Sequence, residues 1–168
     1  MRTIVLVEGD SDRIAVETLT ARVSGALEGV DIVSMGGATN VRTHLGGIAT
    51  DMVVLGLCDV AEASLFRRAG IAEPDCFVCV ADLEDELIRS LGVNAVLEAV
   101  EAEGHLRSFR TMQKQPAQRG RAIEAQLHRF IGSHSGFKLR YAKRLTEAAA
   151  DQARVPAPLQ SLLDRLDR

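Results

Sequence analysis

Four short apolar runs, at residues 3–7, 32–35, 52–58 and 76–80, alternate with segments of helical spacing in the amino-terminal half of the chain. The first, third and fourth are nearly continuous in Val, Leu, Ile, Phe and Cys, the pattern of parallel strands covered on both faces. Between the first two, Val16, Leu19 and Val23 recur at helical intervals, and Gly25 with Gly29 closes the helix. Gly36-Gly37 follows the second run, and a weaker helix is predicted over 40–45, before Gly46-Gly47. The order β-α-β-α-β-α-β predicts an α/β fold with an open, mostly parallel four-stranded sheet flanked by helices. In such sheets the functional crevice lies outside the carboxyl ends of the strands.

Beyond Leu91-Gly92 the alternation stops and helical spacing takes over. Helices are predicted over 93–103, closed by Gly104, and over 119–131, closed by Gly132. A loop, 133–136, precedes a helix marked by Phe137, Tyr141 and Leu145. After Pro156 and Pro158, Leu159, Leu162, Leu163 and Leu166 form a short amphipathic helix, expected to pack back on the domain rather than make a dimer contact. The chain thus divides into an α/β core, 1–92, and a helical carboxyl-terminal extension packed on it, 93–168. No apolar run nears the roughly 18 residues of a membrane helix, and Met1-Arg2-Thr3 leads straight into a strand without a signal peptide. A cytoplasmic protein that does not engage membranes is expected. Cys58, Cys76 and Cys79 lie in apolar surroundings and are odd in number, which argues against disulfides. Cys76 and Cys79 fall three apart in a strand, on opposite faces, so core packing is expected of them rather than a zinc or redox pair.

The strand ends carry the chemistry. The first run ends at Glu8, the third at Asp59 and the fourth, after Ala81, at Asp82. Gly9 permits a tight turn after Glu8, and Asp10 and Ser11 stand where helix caps are found. Asp12 lies four residues after Glu8: it either reaches the crevice or only complements the helix dipole. Glu62 follows Asp59 at a spacing that shares one side of a helical turn. On the helix after Asp82, Leu83, Leu87, Ile88 and Leu91 define an apolar arc that includes Glu84, while Asp85, Glu86 and Arg89 fall outside it, with Asp85 and Arg89 as a surface pair. A glutamate on a packing face needs a partner, and a metal in the crevice would provide one. All-oxygen ligands select hard ions, Mg²⁺ or Mn²⁺, and two such ions serve in-line attack on a phosphodiester. Lys138, after the loop, is the candidate positive group over the phosphate; its alternative is an ordinary surface lysine. There is no phosphate-binding loop of the Gly-x-x-x-x-Gly-Lys-Ser/Thr type, and His44, His105, His128 and His134 are read as lying away from the strand ends, with no nucleophile motif nearby.

A net charge of −3 conceals an asymmetry. Acids outnumber bases up to about residue 104, whereas Arg107, Arg110, Lys114, Arg119, Arg121, Arg129, Lys138, Arg140, Lys143 and Arg144 then face only Glu124. A basic half beside an acidic one suits an enzyme acting on a polyanion. Arg119, Arg121, Lys138, Arg140 and Lys143 are the candidate DNA contacts, although at least half of the bases are expected to be solvated helix faces.

Leu6-Val7-Glu8-Gly9-Asp10-Ser11-Asp12 resembles the first motif of the Toprim domain of topoisomerases, primases and nucleases. Gly56-Leu57-Cys58-Asp59, Asp82-Leu83-Glu84-Asp85-Glu86-Leu87 and Phe137-Lys138-Leu139-Arg140-Tyr141-Ala142 resemble the Toprim half of the overcoming-lysogenisation-defect (OLD) nucleases. The resemblance implies a compact, Rossmann-like Toprim fold and DNA cleavage with two Mg²⁺ or Mn²⁺ ions. It implies that Glu8 and Asp59 hold one ion, that Asp12 and Glu84 help hold the second, and that Lys138 contacts the scissile phosphate. One departure is that the family's Asp-x-Asp on the third strand reads Asp59-Val60-Ala61, so its second acid is missing, with Glu62 one residue on as a candidate substitute. Another is the lack of the ATPase half, so control by ATP would require a separate ATPase protein, or does not occur. Two rival readings stand beside the DNA nuclease: a catalytically impaired module that binds nucleic acid or a partner protein, and a Toprim enzyme acting on RNA or in nucleotidyl transfer.

Overall fold

Burial on both faces explains the apolar runs of the two central strands, at Thr3–Val7 and Val53–Asp59, whereas the fourth run, expected to be covered on both faces, exposes Val78. The computed structural model describes residues 2–23, 25, 28–134 and 136–167. β1 (Thr3–Val7) leads to α1 (Asp10–Val23), β2 (Val30–Ser34), a 3₁₀ turn (Ala38–Asn40) and α2 (Val41–Gly46). β3 (Val53–Asp59), α3 (Ala63–Ala69), β4 (Cys76–Cys79) and α4 (Leu83–Leu91) complete the alternation. Then follow α5 (Val93–Ala102), α6 (Leu106–Gln113), a 3₁₀ turn (Pro116–Gln118), α7 (Ile123–Ile131), α8 (Phe137–Asp151) and α9 (Ala157–Leu166). The strands lie in the order β2-β1-β3-β4, all parallel.

Alternating side chains of the strands feed two cores, as the two-residue period requires. Val5, Val7, Leu55, Leu57, Phe77 and Cys79 join Leu19 of α1, Leu87 of α4, Val100 of α5 and the buried residues of α7, α8 and α9. On the opposite face Leu6 and Cys58 pack with Val41 of α2 and Phe66 of α3. The chain turns from β1 toward β2 on one side and toward β3 on the other, so the order reverses between β1 and β3. That reversal opens a crevice at their carboxyl ends, where Glu8 and Asp59 stand.

Gly56, in the middle of β3, marks where α3 presses on the sheet. A Cβ there would lie 2.6 Å and 2.8 Å from two ring carbons of Phe66, which is fully buried. Gly56→Ala is therefore expected to cost about 1–3 kcal/mol by overpacking, lowering the Tm by roughly 3–10 °C. Thermal denaturation measures this, and the loss should shrink in a Phe66→Leu background.

Several local expectations change. β2 starts at Val30 and ends at Ser34. Val23 is 54% exposed, because the buried line of α1 runs through Ser11, Ala15, Val16, Leu19 and Thr20. The helix predicted over 119–131 begins only at Ile123, since Gly120 takes φ +77° and Arg119 is extended. A separate helix, α6, precedes it. Glu86 is not on a solvent face: it is 7% exposed, accepts a hydrogen bond from the Val80 amide at 2.8 Å and pairs with Arg89 at 2.8 Å. Asp85 and Arg89 do pair, at 2.7 Å. Cys76 and Cys79 take opposite faces, as expected; Cys76 meets Cys58 of the neighbouring strand at 3.8 Å, and all three thiols are free. α9 folds back against β4, burying Leu159, Leu162 and Leu163. Among the described residues no helix is long and apolar enough to cross a membrane.

Candidate active site

The end of β1 is fixed by backbone before any side chain is considered. Met35 N donates to the Val7 carbonyl and Gly37 N to the Glu8 carbonyl, both at 2.9 Å, which carries the ladder to the Glu8 residue. Gly9 then starts α1: its carbonyl accepts from Arg13 N at 3.1 Å, and its own amide donates to Asp12 Oδ2 at 3.0 Å. Asp12 thus plays the reaching-back half of a capping box. Asp10 and Ser11, read from sequence as caps, do neither: Asp10 is exposed beside Arg13 at 3.5 Å, and Ser11 is buried and lines the crevice.

Across the switch point, β3 delivers Asp59, whose Oδ1 accepts the Glu62 amide at 3.0 Å and so starts α3. The turn swings Glu62 toward Glu8. One carboxylate oxygen each of Glu8, Asp59 and Glu62 lies within 4.8 Å of the others. Ala61 is exposed, and the third carboxylate of the group comes from Glu62.

On the other flank β4 leads through Val80 and Ala81 to Asp82, which caps α4 by accepting the Asp85 amide at 2.8 Å. Two residues later the helix buries Glu84 to 3% exposure, with Lys138 Nζ of α8 at 3.5 Å from its Oε1. Glu8, Asp12, Asp59, Asp82, Glu84 and Lys138 all line one cleft of about 360 Å³.

Charges this close must be neutralised by protons or cations. Burial, and next the facing Glu8, push the Glu62 carboxyl up to about 7. Burial raises Asp12 to about 6 despite the Gly9 amide, with Glu84 adding to the rise. Glu84 is also raised, its burial outweighing Lys138. Lys138 in turn stays above its ordinary value, because Glu84, Asp12 and Asp82 hold the ammonium charged against its own desolvation. Glu62 Oε2 is buried without a hydrogen-bond partner. An orphaned carboxylate oxygen in an all-oxygen cluster fits a hard divalent cation.

Sequence reasoning missed one pair. His128, in the last turn of α7, donates from Nε2 to Asp82 Oδ2 at 2.7 Å. It therefore stands at a strand end, contrary to its reading from sequence. Burial works against the Asp82 carboxylate, yet His128 and the Asp85 amide hold it below its ordinary value. The two residues are 46 apart, and no local pattern announces the contact.

The other candidate DNA contacts spread out. Arg119 and Arg121 are exposed before α7. Arg140 meets Glu103 at 3.5 Å, and Lys143 lines a groove with Ile14, Arg144 and Glu147. Of the five, the cleft takes in Lys138.

Residues 1–48 match the family described as overcoming lysogenization defect protein-like, TOPRIM domain. Along nearly its whole length the chain superposes on the C-terminal region of the Burkholderia pseudomallei OLD protein, with a TM-score of 0.66, 21% identity, and 99% of this chain and 96% of that one covered. The fold is the Toprim fold. The C-terminal region of the Xanthomonas campestris pv. campestris OLD protein gives a TM-score of 0.62 at 21% identity, covering 98% and 94%. No curated protein matches the chain. The match to the Toprim family runs from β1 through α2 and takes in Glu8 and Asp12, and the similarity to the OLD regions reaches through α9.

The raised Glu62 carboxyl gives a pH signature for the group it forms with Glu8 and Asp59. In the unfolded chain a glutamate titrates near 4.3, so without metal the folded protein binds the extra proton between about that pH and 7. Stability from this group is lost as pH rises through that window. In chelator, Glu62→Gln is expected to raise the Tm by a few degrees at pH 7.5 and leave it almost unchanged near pH 4. Melting curves across pH measure the difference between the two proteins.

Proposed function

We propose that the chain is a cytoplasmic Toprim nuclease that hydrolyses DNA phosphodiester bonds with Mg²⁺ or Mn²⁺. The observation that carries this reading is the meeting of Glu8, Asp59 and Glu62 within one ion's reach, around an oxygen with no other partner. These three would hold one ion, and Asp12 and Glu84, which line the same cleft as Glu8 and Asp59, would help hold a second. Two bound cations would supply an activated water and stabilise the leaving oxygen of an in-line displacement.

The remaining work falls to the chain's own groups. Lys138 would donate an N–H to a non-bridging oxygen of the scissile phosphate, where negative charge grows in the transition state. Glu84 keeps that ammonium aimed into the cleft. Arg119, Arg121, Arg140 and Lys143 would contact phosphates away from the cut, which sets register and affinity rather than chemistry. Ala61 on its own would favour a catalytically impaired binding module, but Glu62 restores a carboxylate to the cluster.

Supercoiled plasmid, linear duplex and labelled RNA, each incubated with the protein in Mn²⁺, Mg²⁺ or EDTA, test the proposal. Cleavage of DNA that needs the metal supports it. Intact DNA in every condition refutes it, salt-sensitive binding without breakage identifies the impaired module, and cutting confined to RNA moves the substrate.

A further inference from the structure

Phe137, the residue before Lys138, stands inside a stack of three rings. His105 lies 4.4 Å from it between centroids and 25° between planes, and His134 lies at 4.7 Å and 30°. His105 is stacked on Phe137, and His134 is tilted against it. The inner end is anchored, since His105 Nδ1 shares a hydrogen bond of 2.9 Å with the hydroxyl of the buried Tyr141.

The outer end is open. His134 is exposed, with its edge geometry set by Phe130 at 6.1 Å. Ser133 Oγ donates to the Phe130 carbonyl at 2.7 Å, which leaves it to accept from His134 Nδ1–H, also at 2.7 Å. A solvent-facing aromatic ring is thus held in place by a stack, an edge contact and a hydrogen bond. Holding it in advance lowers the ordering cost when a ligand lands on it.

Its place in the fold says which ligand. The His134 carbonyl accepts the Phe137 amide at 3.2 Å, and the His134 ring packs on that of Phe137, the residue before Lys138, whose ammonium is in the acidic cleft. Exposed Arg129 lies on the preceding helix, and the only acid between residues 105 and 146 is Glu124. The π face of a base is free only when the base is unstacked, and unpaired bases stack on aromatic side chains, histidine included. A duplex offers its edges instead.

We infer that His134 is a stacking platform for an unpaired base next to the phosphate that enters the cleft. The substrate is then a single strand, or a DNA with an unpaired nucleotide at the cut. This rests on the nuclease reading of the cleft, yet it can be tested without cleavage.

The chain contains no tryptophan, so His134→Trp places a single indole at the platform. In EDTA, its emission is expected to be quenched on titration with oligodeoxythymidylate and hardly at all with a blunt hairpin of the same length. His134→Ala should weaken binding of the single strand by about 5- to 100-fold, while His134→Phe keeps it. Wild-type affinity in His134→Ala, or an indole that is silent or responds equally to the hairpin, overturns the inference. Because no bond breaking is read, an inactive cleft would leave this result standing, and an active one could coexist with its failure.

Discussion

Glu8→Gln is expected to reduce metal-dependent DNA cleavage by about 10³-fold or more while the fold remains intact. The substitution keeps the shape of the side chain and removes one negative charge from the cluster with Asp59 and Glu62. A catalytic cation contributes several kcal/mol of transition-state stabilisation, and each 1.36 kcal/mol is tenfold in rate. The backbone contact that fixes the residue, Gly37 N to the Glu8 carbonyl, is untouched. In chelator the variant should therefore melt no lower than the wild type. Plasmid nicking rates at saturating Mn²⁺, read beside the melting curves, measure both effects. A Glu8→Gln protein that nicks at the wild-type rate would return Glu8 to a structural role.

Lys138→Met is expected to lower kcat by about 10²–10³-fold, the loss seen when one preorganised donor to a developing charge is removed. Its signature differs from that of Glu8→Gln. The ammonium is one of the charges that hold Glu84 and Asp12 toward their ionised forms. Removing it leaves the cleft more negative, so Mn²⁺ affinity should stay the same or rise while turnover falls. Single-turnover cleavage together with Mn²⁺ titration separates the two. Wild-type turnover in Lys138→Met would mark the lysine as an ordinary surface base paired with Glu84.

The sheet was legible because β1 and β3 are buried on both faces and so appear as continuous apolar runs. Acids at the ends of such runs were legible for the same reason: Glu8 and Asp59 interrupt a pattern that packing alone would continue. Glu84 was found by its angular position among Leu83, Leu87 and Ile88. Glu86 was misplaced by the same wheel, which sorts one helix's faces but does not see the Val80 amide from the preceding strand. The His128–Asp82 pair and the stack around Phe137 join residues distant in sequence, so only the packing of α6, α7 and α8 reveals them. Arg140 looked like a free base until Glu103 of α5's end came beside it. Gly120 was a readable break, and the apolar spacing of the following residues concealed it.

The central claim is that the strand-end carboxylates form a hard-cation site, and electron paramagnetic resonance of Mn²⁺ measures it most directly. Titrated with Mn²⁺ near pH 7.5, the wild-type protein is expected to remove the free-ion signal stoichiometrically, and Glu8→Gln and Asp59→Asn are expected to lose most of that binding. Wild-type protein that leaves the free signal unchanged, or variants that bind as the wild type does, would contradict it.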